Sequence, residues 1–388
     1  HSPLHGRSKA LGAQFDAYNG WERATWYAQA GDDTSAEATL TFRRDGPWHR
    51  RVREECLAVR DAAGILDLPG FSRFNLEGPG AAEWLALQVT GLVPKPGRIG
   101  LVYFADDKGR IVTEMSVVRH GEEQMTLITA AVAQWHDFEW LKSRMPADAA
   151  FALTDRTEEY STQILAGPNS RKILAEVCGA DLSLPWLTHQ ETTIAGRWTK
   201  LIRVSFAGEL GWEIHTRVAD TPAVFDAIWA AGQKHGLKPF GMYALDSLRL
   251  EKGYRAWKGD LSTDYSILQG GLDRFVKWDK PDFRGKAALA NEKQQGVKKR
   301  FVTLVVENSG DCDAPYMSTL WHDGRIVGET TSGGWGHRVD KSIALGMLRA
   351  DLTEPGTTVE VEIFGERFKA VVQKDEPLWD PKNERLRA

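Results

Sequence analysis

Cysteine is nearly absent from this chain of 388 residues: Cys56, Cys178 and Cys312 are odd in number and far apart. No C-x-x-C pair occurs, so neither a zinc ribbon nor a disulfide framework is indicated, and a reducing, cytoplasmic compartment fits best. Long apolar runs are missing too. No stretch of about 18 uncharged apolar residues is available to cross a bilayer, and the opening His1-Ser2-Pro3-Leu4-His5 has no apolar signal-peptide core. Nor does one sign of charge dominate. Lys+Arg 49 against Asp+Glu 53 leave a formal charge of −4, and the longest basic run is only Lys298-Lys299-Arg300. Without a basic surface to displace phosphate counterions, nucleic acid is not an expected partner. Gly 37 and Pro 16 are scattered without a period, which excludes collagen-like and low-complexity chains. No Walker motif, H-E-x-x-H or G-x-S-x-G is present, and no paired histidine spacing sits on a convincing helix, so no metal site is expected.

What remains is an ordinary globular balance, 42% hydrophobic and 26% charged, on a chain long enough for two or three domains. Fifteen tryptophans point to aromatic-walled pockets or interfaces. The stretch of about 1–50 reads as irregular and polar. Val52, Cys56, Val59 and Ala63 then recur at helical spacing, with Gly64 as the stop. The segment Leu101 to Ala133 reads as a strand meander, turning at Asp106-Asp107-Lys108-Gly109 and at His120-Gly121. Thr221 reads as an N-cap with Pro222 at the first helical position, and Gly236 as the close of that helix. Past the basic, Gln-rich stretch Glu292 to Arg300, read as a linker, short strands with Gly-rich turns predict an antiparallel barrel. The fold class is α+β, with an all-β tail starting near residue 295.

Three features carry chemistry. Gly78-Pro79-Gly80 sits where a dinucleotide loop would sit, but it lacks the third glycine and reads as a structural turn. Glu114 lies mid-strand on a face shared with Val112, Ser116 and Val118, where a carboxylate is costly unless paired or used. An edge strand turning that glutamate to water is the alternative. Gly208-Glu209-Leu210-Gly211-Trp212-Glu213 brings glycines, carboxylates and a tryptophan into one turn, able to offer paired acceptors to a planar heterocycle. A plain hairpin is the alternative there.

Six motifs in register resemble the folate-dependent aminomethyltransferases, the glycine cleavage T-protein and its relatives. They are Gly109-Arg110-Ile111-Val112-Thr113-Glu114-Met115, Ala166-Gly167-Pro168, Phe206-Ala207-Gly208-Glu209-Leu210-Gly211-Trp212-Glu213, Asp246-Ser247-Leu248-Arg249-Leu250-Glu251-Lys252-Gly253, Phe283-Arg284-Gly285-Lys286 and Gly328-Glu329-Thr330-Thr331-Ser332-Gly333. The segments Gly20 to Tyr27 and Arg249 to Trp257 are similar to the folate domains of dimethylglycine and sarcosine dehydrogenases and oxidases. No flavin domain is recognisable, so the resemblance implies that folate domain alone, encoded separately or cut from a larger protein.

The resemblance implies a three-domain cloverleaf around tetrahydrofolate, two interleaved α+β domains over 1–294 and a β-barrel domain over 295–388, with Glu114 as the catalytic carboxylate and Glu213 on the pterin. Trp212, Tyr243, Tyr254 and Phe206 are expected to stack on or shape the folate site. The sequence departs from the family in three places: glutamate replaces the usual catalytic aspartate, Phe206 replaces a tyrosine, and Leu245 replaces an arginine. The implied activity is one-carbon transfer or demethylation (a transferase of the EC 2.1 class), taking methyl or methylene from an N-methylated amine such as dimethylglycine or sarcosine to tetrahydrofolate. A flavin oxidase or dehydrogenase is the implied partner, with no membrane or nucleic acid. The alternatives are a T-protein acting on a lipoyl carrier, and a non-catalytic folate-binding protein of the same fold. That second branch carries a K-x-C-Y-x-G-Q signature, which Lys252-Gly253-Tyr254-Arg255-Ala256-Trp257 lacks.

Overall fold

Two interleaved sheets carry the first part of the chain in the computed structural model, which describes residues 1–18 and 20–388. Six strands of one run in the order His189–Ile194, Arg197–Ile202, Gly211–Arg217, Tyr160–Ala166, Ala63–Asp67 and Leu237–Pro239. All neighbours are antiparallel except the last pair. Five antiparallel strands of the other run Ile99–Ala105, Ile111–Gly121, Gln124–Thr129, Ser72–Glu77 and Ala152–Asp155. The second sheet is therefore an insertion between Ala63–Asp67 and Tyr160–Ala166, which are neighbours in the first.

Every residue of Ala63–Asp67 is buried, as expected of a strand covered on both faces. Ile65 packs with Leu165, Trp212 and Ile214 on one side. Leu66 packs with Ile164, Cys56 and Phe240 on the other. The helix Pro47–Asp61 supplies Val52, Cys56 and Val59 to that second cluster, the stripe its sequence spacing announced, with Pro47 fixing its first turn. Gly64 does not stop the helix: Ala62 caps it and Gly64 already belongs to the strand.

A closed six-stranded barrel follows, in the order Lys299–Val306, Lys341–Arg349, Arg325–Gly336, Thr319–His322, Thr358–Ile363 and Glu366–Val372. Val359, Val361 and Ile363 alternate into its core, and closure leaves it no free edge. Two buried ion pairs hold it to the rest of the chain. Arg338 of the barrel meets Glu209 at 2.8 Å and also Glu251, which follows the helix Met242–Leu250.

Local expectations were corrected at four points. The opening stretch is not irregular, since Ala13–Tyr18 and Trp21–Tyr27 form an antiparallel hairpin (Asn19 lies outside the described residues) whose inner face packs Ala13, Ala24 and Tyr27. The linker is shorter than expected: Glu292 to Gln295 end the helix Lys286–Gln295, Lys299 and Arg300 open the first barrel strand, and three residues lie between. The strand Ile111–Gly121 runs through His120-Gly121, so the turn falls at Glu122-Glu123. Thr221 does not cap its helix; its hydroxyl donates back to the Arg217 carbonyl. Gly78 (φ +125°) and Gly80 (φ +84°) occupy the left-handed region glycine favours, and a Cβ on Gly78 would lie 2.7 Å from the Ala150 oxygen. No helix of the described residues is long and apolar enough to cross a membrane.

Candidate functional site

Glu114 sits on Ile111–Gly121, between two paired strands rather than at an edge. Period-2 alternation puts it on one face with Ser116 and Val118, while Met115 and Val117 enter the core behind. The carboxylate is half-buried. Tyr103 faces it directly across the ladder. Burial pushes the Glu114 carboxyl up to about 7. The Tyr103 hydroxyl and the Arg255 guanidinium pull it down, and the charges of Asp260 and Asp137 push it up. Behind the strand, the buried Asp137 accepts from the hydroxyls of Thr113 (2.8 Å) and Thr129 (2.7 Å), which fixes the backbone on both sides of Glu114.

The same face reaches the first sheet. Ser116 is paired with Ile128, and Ile128 with Arg73, so these side chains line up across three strands. Arg73 is buried and donates across the gap to the Tyr160 carbonyl (3.3 Å), to the Thr162 hydroxyl, and to His215 Nδ1 at 3.3 Å from Nε. His215 Nε2 lies 3.0 Å from a Glu213 carboxylate oxygen. Ile128 and Val118 close the interface against Ile202, the cross-strand neighbour of Glu213. Glu114 and Glu213 thus belong to the facing surfaces of the two sheets. Burial drives His215 down to about 4, with the Glu213 hydrogen bond opposing, so the imidazole is neutral and polar rather than cationic.

Phe206 and Tyr254, both expected at the folate site, pack against each other. Phe206, partly exposed, stacks on Tyr254 at 5.7 Å and 23°. Next to Tyr254, Arg255 Nε is buried without a hydrogen-bond partner among the described residues, as is Trp257 Nε1. An orphaned donor on Arg255, whose charge reaches Glu114, suits a heterocycle bearing its own acceptors. Two other expectations fail. Trp212 is fully buried and faces away from Glu213 into the core with Leu165 and Val224, because adjacent strand residues point to opposite faces. Tyr243 packs edge-on to Trp48 at 5.6 Å, lining a separate cavity.

Sequence reasoning missed His215, Arg73, Tyr103 and Arg255. His215 was findable, two residues after Glu213 and so on the same face; the others needed register. Asp260, which bears on Glu114, is fully buried and takes Arg249 Nη1 at 2.6 Å together with the hydroxyls of Thr331 and Ser332. Among the described residues, one cluster offers metal-ligand spacing: His1, His5 and Glu22, near the start of the chain, with His1 exposed.

Two interleaved sheets closed by an antiparallel barrel define the fold of an aminomethyltransferase. A glycine cleavage aminomethyltransferase T from Bartonella henselae superposes with a TM-score of 0.84 over 98% of both chains, at 24% identity. The GCVT N-terminal domain matches residues 4–280, and the glycine cleavage T-protein C-terminal barrel domain matches 299–380. The chain belongs to this folate-dependent aminomethyltransferase family. It is 34% identical to the mitochondrial dimethylglycine dehydrogenase of Rattus norvegicus over 95% of its own length, but spans only 43% of that protein. With human mitochondrial sarcosine dehydrogenase it shares 30% identity, spanning 47%. An aminomethyltransferase of Halothermothrix orenii is 28% identical and is spanned over 98% of its length.

Proposed function

We propose that this chain transfers a one-carbon unit from an N-methylated amine of the dimethylglycine or sarcosine class to tetrahydrofolate, with Glu114 as the catalytic carboxylate. The observation that supports it most is Glu114 itself: a half-buried residue on an interior strand, its carboxyl pushed up to about 7 by burial, with Tyr103 and Arg255 opposing. A group that titrates near the working pH is suited to taking and returning a proton.

Tetrahydrofolate, when bound, supplies the nitrogen that accepts the carbon. The rest is done by the chain. Glu114 in its ionised form faces the cationic donor and takes the proton released when the carbon exchanges one nitrogen for another; the departing amine keeps the electron pair of its broken bond. Glu213, oriented by His215, offers acceptors to the amino group and ring N–H of the pterin. Arg255 Nε and Trp257 Nε1 are free to donate, and the Phe206–Tyr254 pair offers an aromatic surface. Packing of the two sheets shields Glu114 from bulk water, which would otherwise release the carbon as formaldehyde.

The length relationship with the dehydrogenases supports a flavin oxidase or dehydrogenase partner as the source of the electrophile. Three free thiols are compatible with a reducing, cytoplasmic setting. Leu245, where T-proteins carry arginine, disfavours a lipoyl carrier as the donor.

The deciding assay supplies labelled dimethylglycine or sarcosine with a flavin oxidase and follows label into the folate pool. Appearance of methyl- or methylene-tetrahydrofolate only when this chain is present supports the function. Label recovered solely as formaldehyde overturns it.

A further inference from the structure

A second cavity, of about 370 Å³, lies between the helices Pro47–Asp61 and Met242–Leu250 and one end of the barrel, and neither Glu114 nor Glu213 lines it. Its walls are strongly aromatic: Phe42, Trp48, Tyr243, Tyr316 and Trp335. Trp48 and Tyr243 meet at 71°, forming a corner. Asp246 lies one helical turn beyond Tyr243 and opens to the same space. Its Oδ1 accepts from Arg249 Nε at 2.7 Å, and among the described residues Oδ2 accepts no hydrogen bond. Arg249 also pairs with Asp260, so this end of the cavity keeps an excess of negative charge.

The other end differs. His49 and His337 pack as tilted rings, centroids 4.8 Å apart and planes at 50°. Burial lowers both, to about 4 and about 3, with Arg44 and Arg53 pushing the same way, so both imidazoles are neutral in a positive field. Arg44 lies over the Trp335 ring at 4.2 Å and pairs with Asp313. Among the described residues, Trp48 Nε1, His49 Nε2 and His337 Nδ1 are all buried without a hydrogen-bond partner, and His337 is only 3% exposed. Buried polar atoms are seldom left unpaired, and these three belong to residues that line one cavity, which suits a ligand able to pair them.

We infer that this cavity binds a small zwitterion bearing a methylated ammonium, its cationic head against the Trp48–Tyr243 corner and Asp246, its carboxylate accepting from Trp48 Nε1 and the imidazole N–H groups. Aromatic rings with a nearby carboxylate recognise methylated ammonium through the negative ring faces. The opposite polarity at the histidine end sets the ligand's direction. If the proposed function holds, this cavity gives the methyl donor a place of its own, apart from the folate site. Binding here needs neither Glu114 nor folate.

Titration calorimetry on the full chain tests this with four probes: glycine betaine, dimethylglycine, glycine, and 3,3-dimethylbutanoate, the neutral-headed isostere of betaine. The methylated zwitterions should saturate one site, with glycine and the isostere at least about tenfold weaker. Asp246→Asn and Trp48→Phe should each weaken betaine about tenfold or more while leaving tetrahydrofolate affinity unchanged. The inference is overturned if no probe binds, if the isostere binds as well as betaine, or if folded variants bind betaine like the parent. Should a variant fail to fold, the selectivity of the parent among the four probes is still decisive. Betaine bound with no folate bound would remove the proposed function alone; folate bound without betaine would remove this inference alone.

Discussion

His215 stands between Arg73 and Glu213, its Nδ1 3.2 Å from a guanidinium nitrogen and its Nε2 3.0 Å from the carboxylate. An arginine can only donate. Nδ1 is therefore the acceptor, Nε2 carries the proton, and the imidazole donates it to Glu213. One buried ring thus transmits the rigidity of the second sheet to an acidic side chain on the first. His215→Leu removes that donor and leaves Arg73 Nε without an acceptor. Tetrahydrofolate affinity should fall about tenfold, the worth of one hydrogen bond to a charged group. His215→Gln, which can still accept and donate, should recover part of the loss. Titration calorimetry decides the point, and wild-type affinity in the leucine variant would detach His215 from binding.

Glu114→Gln keeps the shape and the contact with Tyr103 but removes the base. Turnover should drop by about 10²–10⁴, with folate affinity within a few-fold of the parent. Single-turnover transfer of a labelled carbon reports the first quantity and calorimetry the second. Unchanged turnover would move the chemistry to another residue.

The pH dependence follows from the same group. Only ionised Glu114 can take a proton, so kcat/KM should rise with pH through about 7 and level off above it. Tyr103→Phe removes a hydrogen bond that favours the ionised form, which raises the pKa and moves the rising limb to higher pH. Loss of the Arg255 charge acts in the same direction. A limb that stays in place in Tyr103→Phe would mean that another group titrates.

The sequence made some of this legible and hid the rest for physical reasons. Alternation along Ile111–Gly121 put Glu114 on one face with Val112, Ser116 and Val118, because period 2 is a local property. The register shift opposite Phe104 and Ala105 instead sends Val112 into the core with Met115 and Val117. Alternation could not say that the strand is flanked on both sides, since pairing joins residues far apart in the chain; the edge-strand alternative stayed open on that account. Trp212 was misjudged from proximity in sequence. Its neighbour Glu213 faces the other sheet, so the tryptophan must face the core. The hairpin over Ala13–Tyr18 and Trp21–Tyr27 escaped because its polar residues suggested a loop, whereas Ala13, Ala24 and Tyr27 are enough to bury its inner face. Arg73 gave no local signal at all, since its role is set by register across three strands.

Trp212 separates core from site. Trp212→Phe should cost about 1–3 kcal/mol of stability, the usual range for a substitution that disturbs packing. Folate affinity should not change, because the ring is buried with Leu165, Ile214 and Val224. Urea unfolding and calorimetry on the same sample test both halves. Weakened folate binding at full stability would return Trp212 to the pterin site.

Arg338 tests what joins the barrel to the sheets. Its guanidinium is fully buried, bonded to Glu251 and Glu209 and to the carbonyls of Ala207 (3.0 Å) and Leu248 (2.7 Å). Glu209 has further partners in Trp379 Nε1 and Arg385 Nε. Among the described residues, the Glu251 carboxylate keeps only the backbone N–H groups of residues 338 and 339. Arg338→Met therefore leaves Glu251 as a buried charge without a counterion, at a cost of about 3–5 kcal/mol. Burial already pushes the Glu251 carboxyl up, with Arg338 opposing, and losing the arginine raises it further. A carboxyl raised in the folded state takes up a proton on folding, and that contribution is lost as pH rises through its folded pKa. The deficit of the variant should accordingly be smaller at pH 5 than at pH 8. Arg338→Lys should fall between, since one ammonium cannot span both carboxylates as the planar fork does. Urea midpoints across that pH range measure the trend, and a deficit independent of pH would show that lost packing, not a bare carboxylate, is what the substitution costs.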